Sequence, residues 1–545
     1  MLKQVRTDRA YLYLTFLYLC AMAKKIIIGS RGSELALWQA NFITRELEKT
    51  GVKVELKIIK TRGDKQQEER FSEMQGQGFF TKEIEDALLK KEIDLAVHSY
   101  KDLPTTPVKG LKVGAVSYRE DPSELLLIRK ECADEKRKLF LKENATVGTS
   151  ATRRRVQLHA YRPDIKIEDL RGNVPTRLQK LRDKKYDAIV VASAAIERLG
   201  LTISDFHVEK LTPQELVPAP AQGALALQIR EGDKNMQAVI EKINHAEVEE
   251  VVSIERKIFS HFRGGCNLPL GIYCEKHRDE TDKPFFKAWA AFAPDEKAYP
   301  RYFYFHTYEP AKWAEKIAEK IKLENPASIF ITRDIKEDDF FSRVLKANKY
   351  KVSGHAFIRF KAIPFTRVPA NTEWIFFSSK HAVKYFFEQK PEIGKVKIGA
   401  IGKSTAAAIR NYGKRADFIG YSTDTKLTGK QFASLVKSAD VLFPQAKDSL
   451  RTVQQQFVNR AQTRDLAVYE TIQKPVEGTP DADIMLFTSP SNVEAFFEKK
   501  KLSTSQKIIA MGDATAHTLK QFGVKSVYLV PSFDDVGLLE TVFSI

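Results

Sequence analysis

Cysteine is scarce in this chain of 545 residues, which contains only Cys20, Cys132, Cys266 and Cys274. So few cysteines exclude a disulfide scaffold and are typical of a protein from a reducing compartment. No Cys/His cluster has metal-ligand spacing, so we expect neither structural zinc nor any other metal site. Low-complexity segments are absent too, and 43% hydrophobic with 29% charged residues excludes collagen-like and wholly disordered chains. The length indicates a globular protein of about three to five domains.

The chain also lacks a basic tract with interleaved aromatic residues. Its formal net charge is nevertheless +18, a surplus that suits an anionic partner such as nucleic acid, anionic lipid or a small polycarboxylate. Without the tract, nucleic acid is the least favoured of these. We therefore expect a small anionic molecule as the partner, and neither nucleic acid nor membrane. We also expect a monomer.

No hydrophobic run is long enough to cross a bilayer comfortably. The longest N-terminal one, AYLYLTFLYLCAMA, has 14 residues. With Lys3, Arg6 and Arg9 before it, residues 1–23 have the outline of a secretory signal peptide. The alternative is that Met22 is the true start and the segment is a disordered or untranslated extension. We favour the alternative, and hence the cytoplasm, because the chemistry described below needs a reduced thiol.

From residue 25 onward, short β-branched runs alternate with helical periodicity, which predicts α/β units. The second half repeats itself: residues 377–413 align without gaps with residues 487–523, and 14 of 37 positions are identical. This duplication predicts two similar domains with a cleft between them. Hydroxyl-rich turns open helices in both copies, where they either cap the helix or also bind carboxylates: Ser379, Thr405, Ser489 and Thr515.

Motifs in both halves resemble known families. The first half contains, in order, GSRGSELALWQA, VHSYKDLP, GTSATRRR, LRGNVPTR, PAQGAL and RGGCNLP. Over about residues 25–320 it resembles porphobilinogen deaminase (hydroxymethylbilane synthase). The second half resembles uroporphyrinogen-III synthase through IFITRD, FFSSKHAV, AIGKSTAAA, VLFPQA, LAVYET, LFTSPSNV and AMGDATA.

The resemblance implies a multidomain α/β chain. A two-lobed deaminase, similar to periplasmic binding proteins, with a small α+β third domain would be followed by two duplicated flavodoxin- or Rossmann-like domains. The expected deaminase domains are 24–122 with 224–244, 123–223, and 245–323. The expected linker is 324–327, and the expected synthase domains are 328–360 with 474–545, and 361–473.

Cys266 is the candidate attachment point for a cofactor. Gly264 and Gly265 before it carry no side-chain bulk and would let the loop carry the sulfur into a cleft. Most free cysteines are instead small buried apolar residues. The resemblance implies that Cys266 bears a dipyrromethane through a thioether. It also implies that Asp102 stabilises the cation formed when porphobilinogen loses ammonia, with Lys101 beside the acid groups of the substrate.

Arginine at strand ends and in first helical turns fits this substrate class. Each pyrrole carries an acetate and a propionate, and a planar guanidinium binds carboxylate bidentately; for any single arginine, a solvated helix face is the alternative. The resemblance assigns cofactor binding, besides Cys266, to Ser99, Asp102, Thr149, Ser150, Arg153, Arg154 and Arg171. It assigns substrate binding to Arg31, Ser33, Phe80, Arg171, Arg177, Arg198 and Gln222.

The sequence thus predicts a bifunctional enzyme of heme biosynthesis. Its transferase half would condense four porphobilinogens into hydroxymethylbilane and release ammonia. Its lyase half would invert the last ring and close the product into uroporphyrinogen III, with Tyr469 assisting hydroxyl loss and Ser379, Thr405, Ser489 and Thr515 binding carboxylates. The alternative is an exported two-lobed binding protein for an anionic solute, which leaves Cys266 and the Lys101-Asp102 turn without a purpose.

Overall fold

The computed structural model describes residues 25–61, 81–262, 267–336, 338–420, 425–458, 462–474 and 480–545. The chain divides into two compact units. The first comprises the chain up to residue 133, residues 142–300 and residues 305–323. The second comprises residues 134–141, 301–304 and 324–545. None of the helices in the described ranges is long and apolar enough to cross a membrane.

Up to residue 323 the described residues form both strands and helices. The strands are β1 (Ile26–Ser30), β2 (Val54–Ile58), β3 (Leu95–Ser99), β4 (Leu111–Val116), β5 (Glu124–Arg129), β6 (Thr146–Gly148), β7 (Lys166–Glu168), β8 (Ala188–Ala192), β9 (Phe206–Leu211), β10 (Leu225–Arg230), β11 (Leu270–Arg278), β12 (Pro284–Phe292) and β13 (Arg301–Thr307). The helices are α1 (Glu34–Glu48), α2 (Lys82–Leu89), α3 (Thr152–Tyr161), α4 (Val174–Arg182), α5 (Ser193–Leu199), α6 (Lys234–Ile240), α7 (Ala246–Ser260) and α8 (Trp313–Lys322).

Two five-stranded sheets in this part share one plan. The first has the order β2-β1-β3-β10-β4, with β1 parallel to β2 and β3 and with β10 antiparallel to β3 and β4. The second has the order β7-β6-β8-β5-β9, with β6 parallel to β7 and β8 and with β5 antiparallel to β8 and β9. The chain leaves the first sheet after β4 and returns at β10, so two segments connect the lobes.

Local sequence explains how these layers form. Ser33 caps α1, since its hydroxyl accepts a hydrogen bond from the Ala36 N–H. The buried side of α1, including Leu47, packs with Ile28 and Leu95 in the core of the first sheet. A third sheet, β11-β12-β13, is contacted by α7 through β11. The predicted mixed α/β, multidomain class is confirmed.

The second half continues with shorter elements. Its strands are β14 (Ser328–Ile331), β15 (Lys351–Gly354), β16 (Ile358–Ala362), β17 (Trp374–Phe377), β18 (Lys397–Ala400), β19 (Phe418–Ile419), β20 (Val441–Ala446), β21 (Thr463–Gln473), β22 (Ile484–Phe487), β23 (Lys507–Ala510) and β24 (Tyr528–Leu529). Its helices are α9 (Phe340–Ala347), α10 (Lys380–Phe387), α11 (Lys403–Arg410), α12 (Thr425–Val436), α13 (Pro490–Phe497), α14 (Asp513–Gln521) and α15 (Asp535–Ser544).

The sequence repeat corresponds to a repeat in structure. The run β17-α10-β18-α11-β19 recurs as β22-α13-β23-α14-β24, and every element of the second run begins 110 residues after its counterpart. The two runs belong to different sheets, of order β16-β21-β20-β17-β18-β19 and β15-β14-β22-β23-β24. Because β16 pairs with β21, the domain limit expected after residue 360 falls inside a strand of the first of these sheets.

Candidate active site

The Lys101-Asp102 turn lies at the carboxyl end of β3. The strand ends at Ser99, whose hydroxyl accepts a hydrogen bond of 2.7 Å from Gln39 Nε2. A single 3₁₀ turn, Tyr100–Asp102, follows, and the Tyr100 N–H donates to the Ala224 carbonyl of the returning segment at 3.0 Å. The Asp102 side chain is exposed. This is the sheet edge at which α/β folds place their sites.

Gln222 connects this turn to the second lobe. Its carboxamide oxygen accepts hydrogen bonds from Lys101 Nζ at 3.2 Å and from Arg153 Nη2 at 3.3 Å. Its amide nitrogen donates to the Pro122 carbonyl at 2.8 Å, and only 1% of the residue is exposed. Gln222 therefore brings Lys101 of the first lobe and Arg153 of the second to one buried atom.

Glu124 is a fully buried carboxylate beneath these cations. Arg154 binds it through Nε and Nη2 at 3.0 and 2.6 Å, and Arg153 Nη1 lies 2.8 Å from its Oε1. Although burial raises the pKa of Glu124, the charges of Arg154 and Arg153 outweigh burial and lower it to about 2. Sequence reasoning missed this residue. An acidic side chain opening the apolar strand sequence ELLLIR was the available signal.

Cations exceed anions around the turn. Lys101, Arg153, Arg154 and Arg177 interact electrostatically with one another or with the two carboxylates, those of Asp102 and Glu124. Burial, and then the charge of Arg154, lowers the pKa of Arg177 to about 10. Burial likewise lowers the pKa of Lys101 to about 8, despite the opposing effect of Asp102. An anionic ligand placed here would relieve this excess of positive charge.

Two side chains predicted to bind the cofactor, those of Ser150 and Arg154, make hydrogen bonds within the second lobe instead. The Ser150 hydroxyl donates to the Leu170 carbonyl and accepts from the Leu170 N–H, both at 3.0 Å. Arg154, besides its two bonds to Glu124, donates through Nη1 to the Val190 carbonyl at 2.9 Å. Both side chains therefore hold the second lobe together in this structure.

Arg177 and Arg198 are held more loosely. The one side-chain hydrogen bond of Arg177 within the described ranges is from its Nε to the Gly172 carbonyl, at 2.8 Å. Arg198 donates through Nη2 to the Gly223 carbonyl at 2.5 Å, and its guanidinium carbon lies 5.6 Å from the centre of the Trp38 ring.

The remaining predicted positions of the first half lie in the turns expected for them. Arg31 follows β1, and its charge contributes to the low pKa, about 4, of His98, for which burial is the main cause. Thr149 is buried directly after β6. Arg171 lies between β7 and α4, where its carbonyl accepts a hydrogen bond from Lys180 Nζ at 3.1 Å.

Cys266 and Phe80 lie outside the described residues. Asn267, which follows Cys266, is described. Its carbonyl accepts a 2.8 Å hydrogen bond from the hydroxyl of Thr152. Thr152 opens α3, the helix that also carries Arg153.

Tyr469 and Ser379 come together in the second half. The Tyr469 hydroxyl on β21 lies 3.4 Å from the hydroxyl of Ser379, the N-cap of α10. Burial raises the pKa of Tyr469, and the hydrogen bond with Ser379 offsets only part of this effect. The ring of His381 lies 6.3 Å from that of Tyr469, and its pKa is lowered to about 4, chiefly by burial. Sequence reasoning did not single out His381.

The other predicted synthase residues lie at equivalent positions of the two repeats. Ser489 caps α13 and accepts a hydrogen bond from the Asn492 N–H at 3.3 Å, so helix capping is confirmed for both serines. Thr405 and Thr515 lie in the first turns of α11 and α14 and are both buried.

Comparison with known proteins gives two family matches. Residues 26–238 match the family model described as porphobilinogen deaminase, dipyromethane cofactor binding domain. Residues 341–540 match the model described as uroporphyrinogen-III synthase HemD.

Similar proteins come from several organisms. A porphobilinogen deaminase of Nitratiruptor sp. is 44% identical over 250 residues, which are 46% of this chain and 78% of the relative. One from Fusobacterium nucleatum is 43% identical over 263 residues, 48% of this chain and 86% of the relative. Among solved structures, the uroporphyrinogen-III synthetase of Helicobacter pylori aligns with 39% of this chain and 96% of its own, at 19% identity and a TM-score of 0.31. The chain therefore belongs to the porphobilinogen deaminase family and carries a uroporphyrinogen-III synthase domain in its second half.

Proposed function

We propose that the chain performs two consecutive steps of heme biosynthesis. The first half condenses four porphobilinogen molecules into hydroxymethylbilane with release of ammonia. The second half closes hydroxymethylbilane into uroporphyrinogen III with inversion of its last ring. The observation that carries this proposal is the pair of family matches, one in each half. The cationic surroundings of Asp102 support it, because porphobilinogen, hydroxymethylbilane and uroporphyrinogen III all carry several carboxylates.

The residues of the first half fit the family's dipyrromethane cofactor. Two pyrroles carry four carboxylates, and Lys101, Arg153 and Arg177 are cations whose pKa values burial lowers. The carboxylates of a bound dipyrromethane would offset the free-energy cost of burying these positive charges. When bound, dipyrromethane supplies the pyrrole carbon on which the chain grows. We propose Cys266 as its attachment point, because Thr152 ties the following residue, Asn267, to the helix of Arg153.

The predicted cofactor contacts divide into two groups. Ser99, Asp102, Thr149, Arg153 and Arg171 would bind the cofactor directly. Arg154 and Ser150, whose polar atoms are used by Glu124, Val190 and Leu170, would instead fix the helix and turn that carry Arg153.

Asp102 would act on the substrate's pyrrole N–H. Loss of ammonia from porphobilinogen leaves a cation conjugated with the ring nitrogen, and a nearby carboxylate stabilises that charge. The exposed Asp102 carboxylate can accept a hydrogen bond from the N–H and later take its proton. Lys101 Nζ, held by Gln222, would pair with a substrate acid group. Arg31, Ser33, Arg177, Arg198 and Phe80 complete the proposed binding set.

In the second half, Tyr469 would donate a proton to the departing hydroxyl of hydroxymethylbilane. Burial raises its pKa, so the phenol stays protonated at neutral pH. Ser379 lies within hydrogen-bond distance and would orient the phenol. The N-terminal turns of α10, α11, α13 and α14, with Ser379, Thr405, Ser489 and Thr515, would bind carboxylates through backbone N–H groups.

The remaining features of the proposal concern organisation. The domain limits are those expected from the sequence, namely 24–122 with 224–244, 123–223, 245–323, 328–360 with 474–545, and 361–473, with a linker at 324–327. The limit at residue 360 would move to the start of β16 at Ile358, because β16 pairs with β21. The chain would act as a monomer in the cytoplasm, where a reduced thiol persists. Its partners would be porphobilinogen and hydroxymethylbilane.

Feeding porphobilinogen to the purified full-length chain tests both activities. We expect porphobilinogen consumption and, after oxidation of the products, mainly the type III isomer of uroporphyrin. Tyr469→Phe should shift the products toward type I without changing consumption, whereas Tyr412→Phe, a change at an exposed tyrosine, should leave the ratio unaltered. An exported binding protein would consume no porphobilinogen, and type I product from the unmodified chain would contradict the second activity.

A further inference from the structure

The Asp102 carboxylate receives little direct support. Among the residues that the structure describes, none donates a hydrogen bond to it, and the side chain is exposed. Its position is therefore set by the backbone of the turn that carries it. The turn itself is short, with a single backbone hydrogen bond, from the Leu103 N–H to the Tyr100 carbonyl at 3.3 Å, closing it.

Arg256 holds this turn from outside. Its Nη1 donates to the carbonyls of Tyr100 and Leu103, both at 3.0 Å, and its Nη2 donates to the carbonyl of Pro104 at 2.7 Å. Its guanidinium carbon also lies 4.4 Å from the centre of the Tyr100 ring. The Arg256 side chain thus forms hydrogen bonds to backbone carbonyls both before and after Asp102 in the sequence.

The helix that carries Arg256 is itself fixed. The preceding residue, Glu255, is fully buried and binds Arg119 through both carboxylate oxygens at 2.7 and 3.2 Å. The same carboxylate accepts hydrogen bonds from the Ala221 N–H at 2.6 Å and the Cys274 N–H at 2.8 Å. Of two adjacent residues of α7, Glu255 therefore binds the segment between the lobes and Arg256 binds the Asp102 turn. The guanidinium of Arg256 is thus held in place before substrate binds.

We propose that Arg256 is a positioning residue for Asp102: its planar guanidinium joins three carbonyls of the turn and thereby fixes where the carboxylate meets the substrate. This inference rests on the proposed deaminase function of Asp102. A lysine cannot reproduce the contact, because a single ammonium nitrogen lacks the planar array of donors that spans the carbonyls of Tyr100, Leu103 and Pro104. Small displacements of a reacting group are costly, since an error of about 1 Å can reduce a rate about 100-fold.

The test measures porphobilinogen turnover by the full-length chain with Arg256→Ala and Arg256→Lys. We expect kcat per cofactor-loaded molecule to fall about 10- to 100-fold in both variants, with KM changed less than about twofold. Intact mass gives the loaded fraction. Added guanidinium ion should partly restore kcat of Arg256→Ala and leave the unmodified enzyme unchanged. Lys257→Ala is the matched control: it lies next on the same helix, exposed and paired with Glu315, and should keep full activity.

A double variant separates positioning from general stability. Asp102→Glu keeps a carboxylate but moves it, so Arg256→Ala should cost at most about threefold in that background if Arg256 acts through Asp102. Equal losses in both backgrounds, or kcat of Arg256→Lys within twofold of the unmodified enzyme, would overturn the inference. If Arg256→Ala does not fold, the lysine variant decides. An unmodified chain that consumes no porphobilinogen would instead refute the proposed function itself.

Discussion

Replacing Glu124 by glutamine removes the buried carboxylate that pairs with both Arg153 and Arg154. The substitution keeps the shape of the side chain and deletes its charge. Two guanidinium groups that are themselves almost completely buried then face an amide. We expect the first unit to lose stability, and Arg153 to lose its fixed position beside Gln222.

The size of the loss follows from the pKa of Glu124. The folded protein lowers this pKa from the ordinary 4.5 to about 2. At about 1.4 kcal/mol per pH unit, this shift corresponds to about 3 kcal/mol of stabilisation at neutral pH. Removing one member of a buried ion pair typically costs about 3–5 kcal/mol, so the two arguments agree. We predict that Glu124→Gln lowers the free energy of unfolding of the first unit by about 3 kcal/mol at pH 7.

Tryptophan fluorescence can report this unit alone. Of the four tryptophans, Trp38, Trp289 and Trp313 lie in the first unit and Trp374 in the second. In a Trp374→Phe background, urea unfolding followed by fluorescence therefore measures the unit that contains Glu124. A lowered pKa contributes stability above the ordinary value of 4.5, which is lost as the pH falls toward about 2. The difference between Glu124→Gln and its parent should accordingly narrow below pH 4.5.

Two results would refute this reasoning. One is a stability difference at pH 7 below about 1 kcal/mol, which a surface ion pair could supply. The other is a difference that grows as the pH falls. Glu131→Gln is the control, because Glu131 pairs with Arg129 at 3.3 Å while remaining largely exposed. It should leave the unfolding curve unchanged.

Two further predictions concern the cations of the site. Arg154→Lys should lower both the free energy of unfolding and cofactor loading, because the two hydrogen bonds from Arg154 to Glu124 are lost. Arg177→Lys should preserve stability and raise KM for porphobilinogen. The reverse pattern would contradict the structural role of Arg154 and the substrate-binding role of Arg177. When porphobilinogen binds to the Asp102→Asn variant at pH 8, the complex should take up protons, because a bound carboxylate raises the depressed pKa of Lys101. Calorimetry in two buffers of different ionisation enthalpy measures the proton uptake. An uptake that Lys101→Gln leaves unchanged would contradict the prediction.

Much of the fold could be predicted from the sequence because its signals are local or repeated. The duplication predicts two similar domains, and in the structure five elements of one repeat recur in the other at a spacing of 110 residues. Ser33, Ser379 and Ser489 cap helices as their positions indicate, since a cap needs only a hydroxyl a few residues before a helical run.

The site could be predicted only in part, because its decisive contacts join distant residues. Gln222 meets Lys101 across 121 positions and Arg153 across 69. Arg256 reaches the Tyr100 carbonyl across 156 positions. No periodicity or motif spacing indicates such pairings. Gln222 is therefore predicted as a substrate-binding residue without these two partners, and the sequence does not single out Arg256.

The motif GTSATRRR shows the same limit within a single helix turn. The resemblance assigns two of its arginines, Arg153 and Arg154, to cofactor binding, yet these two have different partners in the structure. Arg154 meets both oxygens of Glu124 and the Val190 carbonyl, whereas Arg153 shares Glu124 and extends to Gln222. Which guanidinium remains available to a ligand depends on the carboxylates that the other strands supply.

The intact mass of the purified chain tests the central claim most directly. The account predicts a mass that exceeds the sequence by a covalent two-pyrrole group. The group should be absent from Cys266→Ser and retained in Cys132→Ser, since the Cys132 thiol already contacts Arg129 and Asp187. A bare chain mass from protein that has been supplied with porphobilinogen, or an adduct that survives in Cys266→Ser, would contradict the account.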